Sequence, residues 1–353
     1  MCSSDLADGF DDVLVGGWGA DDGGSDAGAA WLMRGPDLGE RALSTADLEL
    51  IGESAGDQAG LAVSAAGDVD GDGVEDLVVG AWLAATYSGR AYLVSGPASG
   101  TIDLSAADAV ITGESVGDFL GQAVAGPGDL DGDGRDDLAV GAPGTDSGTG
   151  TVYVLAGPLH GSVSATSATA TIDGSVADDA VGAALTAGGD VDGDGTPDLL
   201  FGASGYDYGG TNTGGAFLFF GPAVGSLTLG DADSLMAGEH ASDNAGWSVG
   251  GAGDMDGDGQ DDVLVGAARA DGGGTASGAA YLVYGPAASV YDLGGADARL
   301  LGVSTDDYAG ASVAGVGDTD GDGKEDILVG APYEDDGLPS RAGSAYLVLG
   351  TGL

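Results

Sequence analysis

Short apolar runs separated by stretches of Gly, Asp and Ser fill the chain from end to end, and no segment carries apolar residues at a helical period. The order shows best between Ile51 and Ile111. Gly52-Glu53-Ser54-Ala55-Gly56-Asp57 reads as a turn, Leu61-Ala62-Val63-Ser64 as a first strand and Leu77-Val78-Val79-Gly80 as a second. After a loop of variable length, Ala91-Tyr92-Leu93-Val94 makes a third strand closed by Gly96-Pro97, and a weaker fourth lies near Ala109-Val110-Ile111. Short strands bounded by Gly, Pro, Asp and Ser predict four-stranded antiparallel sheets and an all-β fold.

This order recurs in repeats near 7–50, 51–111, 112–172, 173–236, 237–300 and 301–353. A periodic chain of 353 residues reads as one repeat architecture, a single domain over 7–353, rather than as two or three unrelated domains. The first repeat lacks its opening strand, and the last stops before its closing one. Met1-Cys2-Ser3-Ser4-Asp5-Leu6 breaks the register and matches what the end of a sequencing adapter would encode, so residues 1–6 read as a non-native leader. Cys2 is the only cysteine, which leaves no disulfide framework, thiolate metal site or Cys nucleophile.

The candidate chemistry stands between the first and second strands. In the stretch from Asp254 to Asp262, carboxylates hold positions one, three, five and nine (Asp254, Asp256, Asp258 and Asp262), and glycines at four and six let the backbone turn tightly about a centre. At about 4 Å and an effective dielectric near 20, like charges repel by roughly 4 kcal/mol per pair, so such side chains converge only around a divalent cation. Calcium suits them, since it accepts six to eight oxygen ligands in flexible geometry, and a main-chain carbonyl at position seven and water complete the shell. An EF-hand would require Glu at position twelve and a helix; here Val263-Leu264-Val265-Gly266 follows, so the ion would clip a turn between strands. The set recurs as Asp68, Asp70, Asp72 and Asp76; Asp129, Asp131, Asp133 and Asp137; Asp190, Asp192, Asp194 and Asp198; and Asp318, Asp320, Asp322 and Asp326. About five Ca2+ sites are therefore expected, with a sixth, damaged copy at Ala7-Asp8-Gly9-Phe10-Asp11-Asp12.

Charge narrows the partners. With 8 basic and 58 acidic residues the net charge is −50, of which five calcium ions would offset only a fifth. The remainder reads as a solvated acidic coat that repels nucleic acid and anionic membrane. No apolar run approaches the length of a membrane span.

Other positions keep step with the loops. Trp31, Tyr92, Tyr153, Phe217, Tyr281 and Tyr346 share one place in the third strand and are expected to pack between neighbouring sheets. Asp57, Asp118, Asp179, Asp243 and Asp307 precede the loops by a constant interval and are expected to cap the turn before the first strand. The loops joining second to third strands vary in length and carry Trp82, Tyr87, Asp146, Tyr206, Asp207, Tyr208, Tyr333, Glu334 and Asp335 as candidate exposed ligand contacts. His160 and His240 do not recur and sit in no catalytic motif.

A Gly-initiated strand (Ala59-Gly60, Leu120-Gly121, Val181-Gly182, Ala245-Gly246, Ala309-Gly310), then the Asp loop, then Gly-Ala-Pro, resembles the FG-GAP repeats of integrin alpha subunits. Gly141-Ala142-Pro143 and Gly330-Ala331-Pro332 keep the last motif whole, while Gly80-Ala81-Trp82, Gly202-Ala203-Ser204 and Gly266-Ala267-Ala268 vary it; the Phe of the first motif is mostly lost, as in a divergent, bacterial-type relative. The resemblance implies a β-propeller with one blade per repeat and calcium in the loop between a blade's first two strands. The family ring has seven blades and six repeats are visible, so the chain is either a piece of such a ring or a six-bladed one. The expected function is a calcium-stabilised extracellular or cell-surface adhesion module that is not an enzyme. It would meet a protein or polysaccharide ligand at the variable loops. The alternatives are a non-catalytic propeller domain of a larger secreted enzyme and a rigid scaffold within a surface protein.

Overall fold

The computed structural model describes residues 10, 12–36, 39–287, 289–334 and 342–350, together with the backbone of 2–4. The fold is all-β, a β-propeller of six small sheets, and the chain divides into two compact units. The first unit, Met1–Asp173 with Val224–Leu227, holds blades 1 to 3; the second, Gly174–Ala223 with Thr228–Leu353, holds blades 4 to 6.

Blade 2 shows the plan. Val63–Gly67, Asp76–Ala81, Arg90–Val94 and Ala109–Thr112 form an antiparallel meander. The second and third strands are nearly continuous apolar runs because sheets pack on both their faces: Asp76–Ala81 is buried throughout. The first strand starts two residues later than the sequence suggests. Gly60 has a left-handed φ of 83°, and the Gly80 backbone bonds to Gly60 and Ala62 as separate contacts before regular pairing begins.

A fifth strand, not expected from the sequence, extends four of the sheets. Gly161–Ser164, from the following repeat, runs parallel to Ala109–Thr112, with Gly161 opposite Ala109 and Ser164 opposite Thr112. Gly100–Asp103 does the same for Leu48–Ile51, Val290–Asp292 for Ser234–Ala237, and Gly225–Thr228 extends blade 3. A 3-10 turn follows each. After Gly100–Asp103 it is Leu104–Ala106, where the Asp103 carboxylate accepts from the Ser105 amide at 2.9 Å and Leu104 is fully buried. The backbone of Cys2–Ser4 pairs with Asp12–Leu14, so the opening strand expected to be missing from blade 1 is supplied by the segment read as a leader. Blade 6 has three strands among the described residues: Ser312–Gly317, Asp326–Ala331 and Ser344–Val348.

Within each unit, neighbouring blades share their cores. Val78, Leu93 and Ile111 of blade 2 join Val124, Val140 and Tyr153 of blade 3 in one cluster. The blades approach so closely that backbone meets backbone: a Cβ at Gly202 would lie 1.9 Å from the Gly246 carbonyl oxygen, and one at Gly80 2.0 Å from that of Gly121. This contact requires the glycine of the Gly-Ala-Pro motif, while the strand-opening glycines have left-handed φ and would carry a Cβ 2.1 Å from the Arg90 carbonyl oxygen at Gly121 and 2.2 Å from that of Gly215 at Gly246.

Candidate metal centres

Each Asp loop joins the first strand of a blade to its second, as the sequence implies. The glycine at position four (Gly71, Gly132, Gly193, Gly257, Gly321) and that at position six (Gly73, Gly134, Gly195, Gly259, Gly323) all have positive φ, between 76° and 93°, so the tight turn is built from residues that adopt it without strain.

The loops draw carboxylates together. One oxygen from each of three residues lies within 4.8 Å of the others in every loop: Asp68, Asp70 and Asp72; Asp129, Asp131 and Asp137; Asp190, Asp192 and Asp194; Asp254, Asp256 and Asp262; Asp318, Asp320 and Asp326. Positions one and three thus meet in all five, with position five or nine as the third. Backbone amides fix the first of them. Asp254 Oδ1 accepts from Gly257 and Asp258 at 2.7 and 3.0 Å, and its Oδ2 from Gly259 at 3.0 Å. Asp129 and Asp318 are held in the same way, and Asp68 by the position-five and position-six amides. Asp133, at position five, accepts from the Arg135 amide at 3.0 Å, as Asp322 does from Lys324 at 2.9 Å.

Position nine has a second duty that the sequence did not disclose. Asp262 is fully buried; its Oδ2 accepts from the Met255 amide at 2.8 Å and its Oδ1 from Gly285 at 2.9 Å, which ties the loop to the end of the third strand. Asp76, Asp198 and Asp326 repeat this staple. Asp12 keeps the arm to the third strand, its Oδ1 accepting from Gly35 at 2.9 Å, and the rest of that damaged copy falls largely outside the described residues. Burial pushes the carboxyls of Asp76, Asp198 and Asp262 up to about 6 and that of Asp137 up to about 7, with the neighbouring position-three carboxylates adding to the rise. Asp326 differs, because the Thr319 hydroxyl bonds to it and holds it below the usual range.

These residues fit a hard divalent cation. The donors are all oxygen, they converge, and Asp190 Oδ1 is buried within its cluster with no hydrogen-bond partner, a group that a cation would satisfy.

Around the loops, a model of the FG-GAP repeat matches residues 59–94, 121–155, 181–219, 245–283 and 309–348, more than half of the chain. The chain belongs to the FG-GAP repeat family. Each matched segment of this FG-GAP protein runs from the Gly-initiated strand through the Asp loop to the third strand. Integrin alpha-PS2 of Drosophila melanogaster is 33% identical over 219 residues, 58% of this chain and 15% of that protein. Integrin alpha-IIb of Homo sapiens is 39% identical over 148 residues, 39% of this chain and 14% of that protein. Integrin alpha pat-2 of Caenorhabditis briggsae is 31% identical over 229 residues, 61% of this chain and 18% of that protein. The match spans less than a fifth of each of these relatives. The FG-GAP protein is integrin-alpha-like in its repeats.

The remaining recurrent positions resolve into structure. Asp118, Asp179, Asp243 and Asp307 are buried and accept from the amides of Ser115, Val176, His240 and Ser304 at 2.6 to 3.0 Å, so they cap the turn as expected. The third-strand aromatics are buried in blades 1 to 5, whereas Tyr346 is 39% exposed. The hydroxyls of three of them share a kind of partner that lies far off in sequence. Tyr92, Tyr153 and Tyr281 donate to Glu53, Glu114 and Glu239 at 2.9, 3.2 and 2.8 Å. The signal was present: a Gly-Glu pair stands ahead of each of these tyrosines, and where blade 4 has Phe217 the glutamate position holds Ser175.

The variable loops divide. Tyr87, Asp146, Tyr208 and Tyr333 are exposed. Asp207 is exposed too, and accepts from the Asn212 amide at 2.6 Å, whereas Trp82 donates to Gln58 at 3.0 Å and packs on Phe119, and Tyr206 packs edge-on against Phe217. Glu334, expected at an exposed tip, is buried and accepts from the Tyr346 hydroxyl; Val303 stands where other repeats have the Gly-Glu glutamate, so the acid has moved to a different loop. Asp335 lies outside the described residues. His160 and His240 are exposed. Among the described residues no helix is long and apolar enough to cross a membrane.

Proposed function

We propose that this FG-GAP propeller is a calcium-stabilised, extracellular or cell-surface module for adhesion or ligand binding, in which the metal is structural and no reaction is catalysed. The observation that carries this reading is the fivefold convergence of Asp carboxylates, in loops that open directly into a strand, fully buried in four of the five. Positions one, three, five and nine would hold the ion, and the ion would supply the positive charge that these converging carboxylates otherwise lack. The chain's own residues do the rest. Backbone amides orient the carboxylates, glycines permit the turn, and the position-nine staple transmits the order of the loop to the third strand. The integrin alpha relatives support placement outside the cell and a role in attachment. Residues 7–353 would form the propeller domain, and a protein or polysaccharide ligand would meet the exposed tips at Tyr87, Asp146, Tyr208 and Tyr333.

Calorimetric calcium titration joined to a thermal melt tests this. Uptake near five ions is expected, with a large rise in melting temperature; a site at one hundred times its Kd contributes about 2.7 kcal/mol. Binding without stabilisation would sink the structural role of the metal. Replacing the four exposed tip residues should weaken attachment to cells or polymer while leaving calcium uptake intact, and unchanged attachment would favour the scaffold reading.

A further inference from the structure

The loops are joined to one another by residues that belong to neither set of candidate ligands. Asp136, at position eight of loop 129–137, accepts the amide of Asp68 on its Oδ2 at 2.7 Å, and its own amide donates to the Asp68 carbonyl at 3.3 Å. Asp261, at position eight of loop 254–262, holds Asp190 in the same two ways, at 2.8 and 3.0 Å. The glycine before each clasped residue is required by the clasp: a Cβ at Gly67 would lie 2.2 Å from Asp136 Oδ2, and one at Gly189 2.2 Å from Asp261 Oδ2. Glu325 lies against Gly253 in the corresponding place, where a Cβ would come within 2.7 Å of its side chain. Position eight of loop 190–198 is Pro197, which offers no carboxylate.

The clasped residue is the position-one aspartate, which anchors the turn of its own loop through both oxygens in Asp68 and through Oδ2 in Asp190. The clasping residue is bonded through one peptide to Asp137 or Asp262, each of which converges on its own cluster. A single peptide unit therefore connects two candidate cation sites. Ordering of Asp137 by a cation fixes Asp136, which fixes the backbone of Asp68 and adds a negative charge beside it; second-layer groups of this kind tune metal affinity through the ligands that they orient.

We propose that cation binding is positively coupled in two pairs of loops, 129–137 with 68–76 through Asp136, and 254–262 with 190–198 through Asp261. Asp136 and Asp261 are positioning residues. The inference rests on the calcium reading above and adds to it that the sites fill as linked pairs rather than independently.

Hydrogen exchange followed peptide by peptide in the full chain, with calcium as the only added ligand, tests the coupling. In the native chain each loop should gain protection as calcium rises. Asp136→Ala should move the calcium midpoint of loop 68–76 upward by about tenfold or more and leave loops 190–198 and 318–326 in place. Asp136→Asn, which keeps an acceptor for the Asp68 amide, should move it less. Breaking loop 129–137 with Asp131→Asn should also shift loop 68–76, but not in the Asp136→Ala background, where the connection is already cut. Asp261→Ala repeats the test on loop 190–198 should the first variant fold poorly. An unmoved midpoint for loop 68–76 in Asp136→Ala, or an equal effect of Asp131→Asn in both backgrounds, overturns the coupling. A native chain in which no loop gains protection with calcium would instead overturn the calcium reading on which the coupling rests.

Discussion

Single side chains in this protein act mostly by satisfying backbone amides. Asp179 is buried, with its carboxylate on the Val176 amide at 3.0 Å, and burial raises its pKa from the ordinary 3.8 against the lowering effect of that bond. A carboxyl whose folded pKa is raised binds its proton more tightly in the folded state. Its contribution favours the fold at pH below the unfolded value and falls away as pH rises through the folded one. Asp179→Asn keeps an acceptor and removes the charge, so at saturating calcium it should gain stability relative to the native chain as pH rises from 3.8 upward; melts across that range check the sign. The tyrosine tips make a second case. Tyr153→Phe should cost about 1 kcal/mol and Glu114→Ala about 1 to 3 kcal/mol, measured by urea unfolding, since the latter leaves a buried hydroxyl without its acceptor. The positions of these aromatics were legible because they recur in register; their partners were not, because Glu114 and Tyr153 lie 39 residues apart and only folding brings them together.

At the level of the element, the Asp loop combines two functions that substitution should separate. Asp198→Ala leaves the buried amide of Val191 and the half-buried amide of Gly221 unpaired, and should destabilise by about 3 kcal/mol even in chelator. Asp194→Ala, at exposed position five, should leave the chelated protein unchanged and remove the calcium-dependent part of stability at one site. Paired melts with and without calcium distinguish the two. The second and third strands were readable because both faces are apolar, as in Asp198-Leu199-Leu200-Phe201-Gly202-Ala203. Gly100–Asp103 was not, since it is short, largely exposed and held by pairing with a strand of the preceding repeat. The position-eight carboxylates escaped notice for the same reason: their partners lie in a different repeat. Gly202→Ala should destabilise strongly, by about 3 kcal/mol, because its methyl would meet backbone that cannot yield.

Across the whole molecule, a net charge of −50 works against compaction, and the loops concentrate part of it where it is hardest to bear. Chelation should lower the melting temperature, and monovalent salt should restore part of the loss by screening the surface charge but little of that within the loops. The strand that four of the repeats lend to the blade before them has a further consequence. The stretch of sequence that duplicates is not the stretch that folds: a repeat cut out at its apparent boundaries takes with it a strand that completes its predecessor and leaves behind one that completes itself. In blades 1 to 4, the interval that folds together is therefore offset from the interval that repeats.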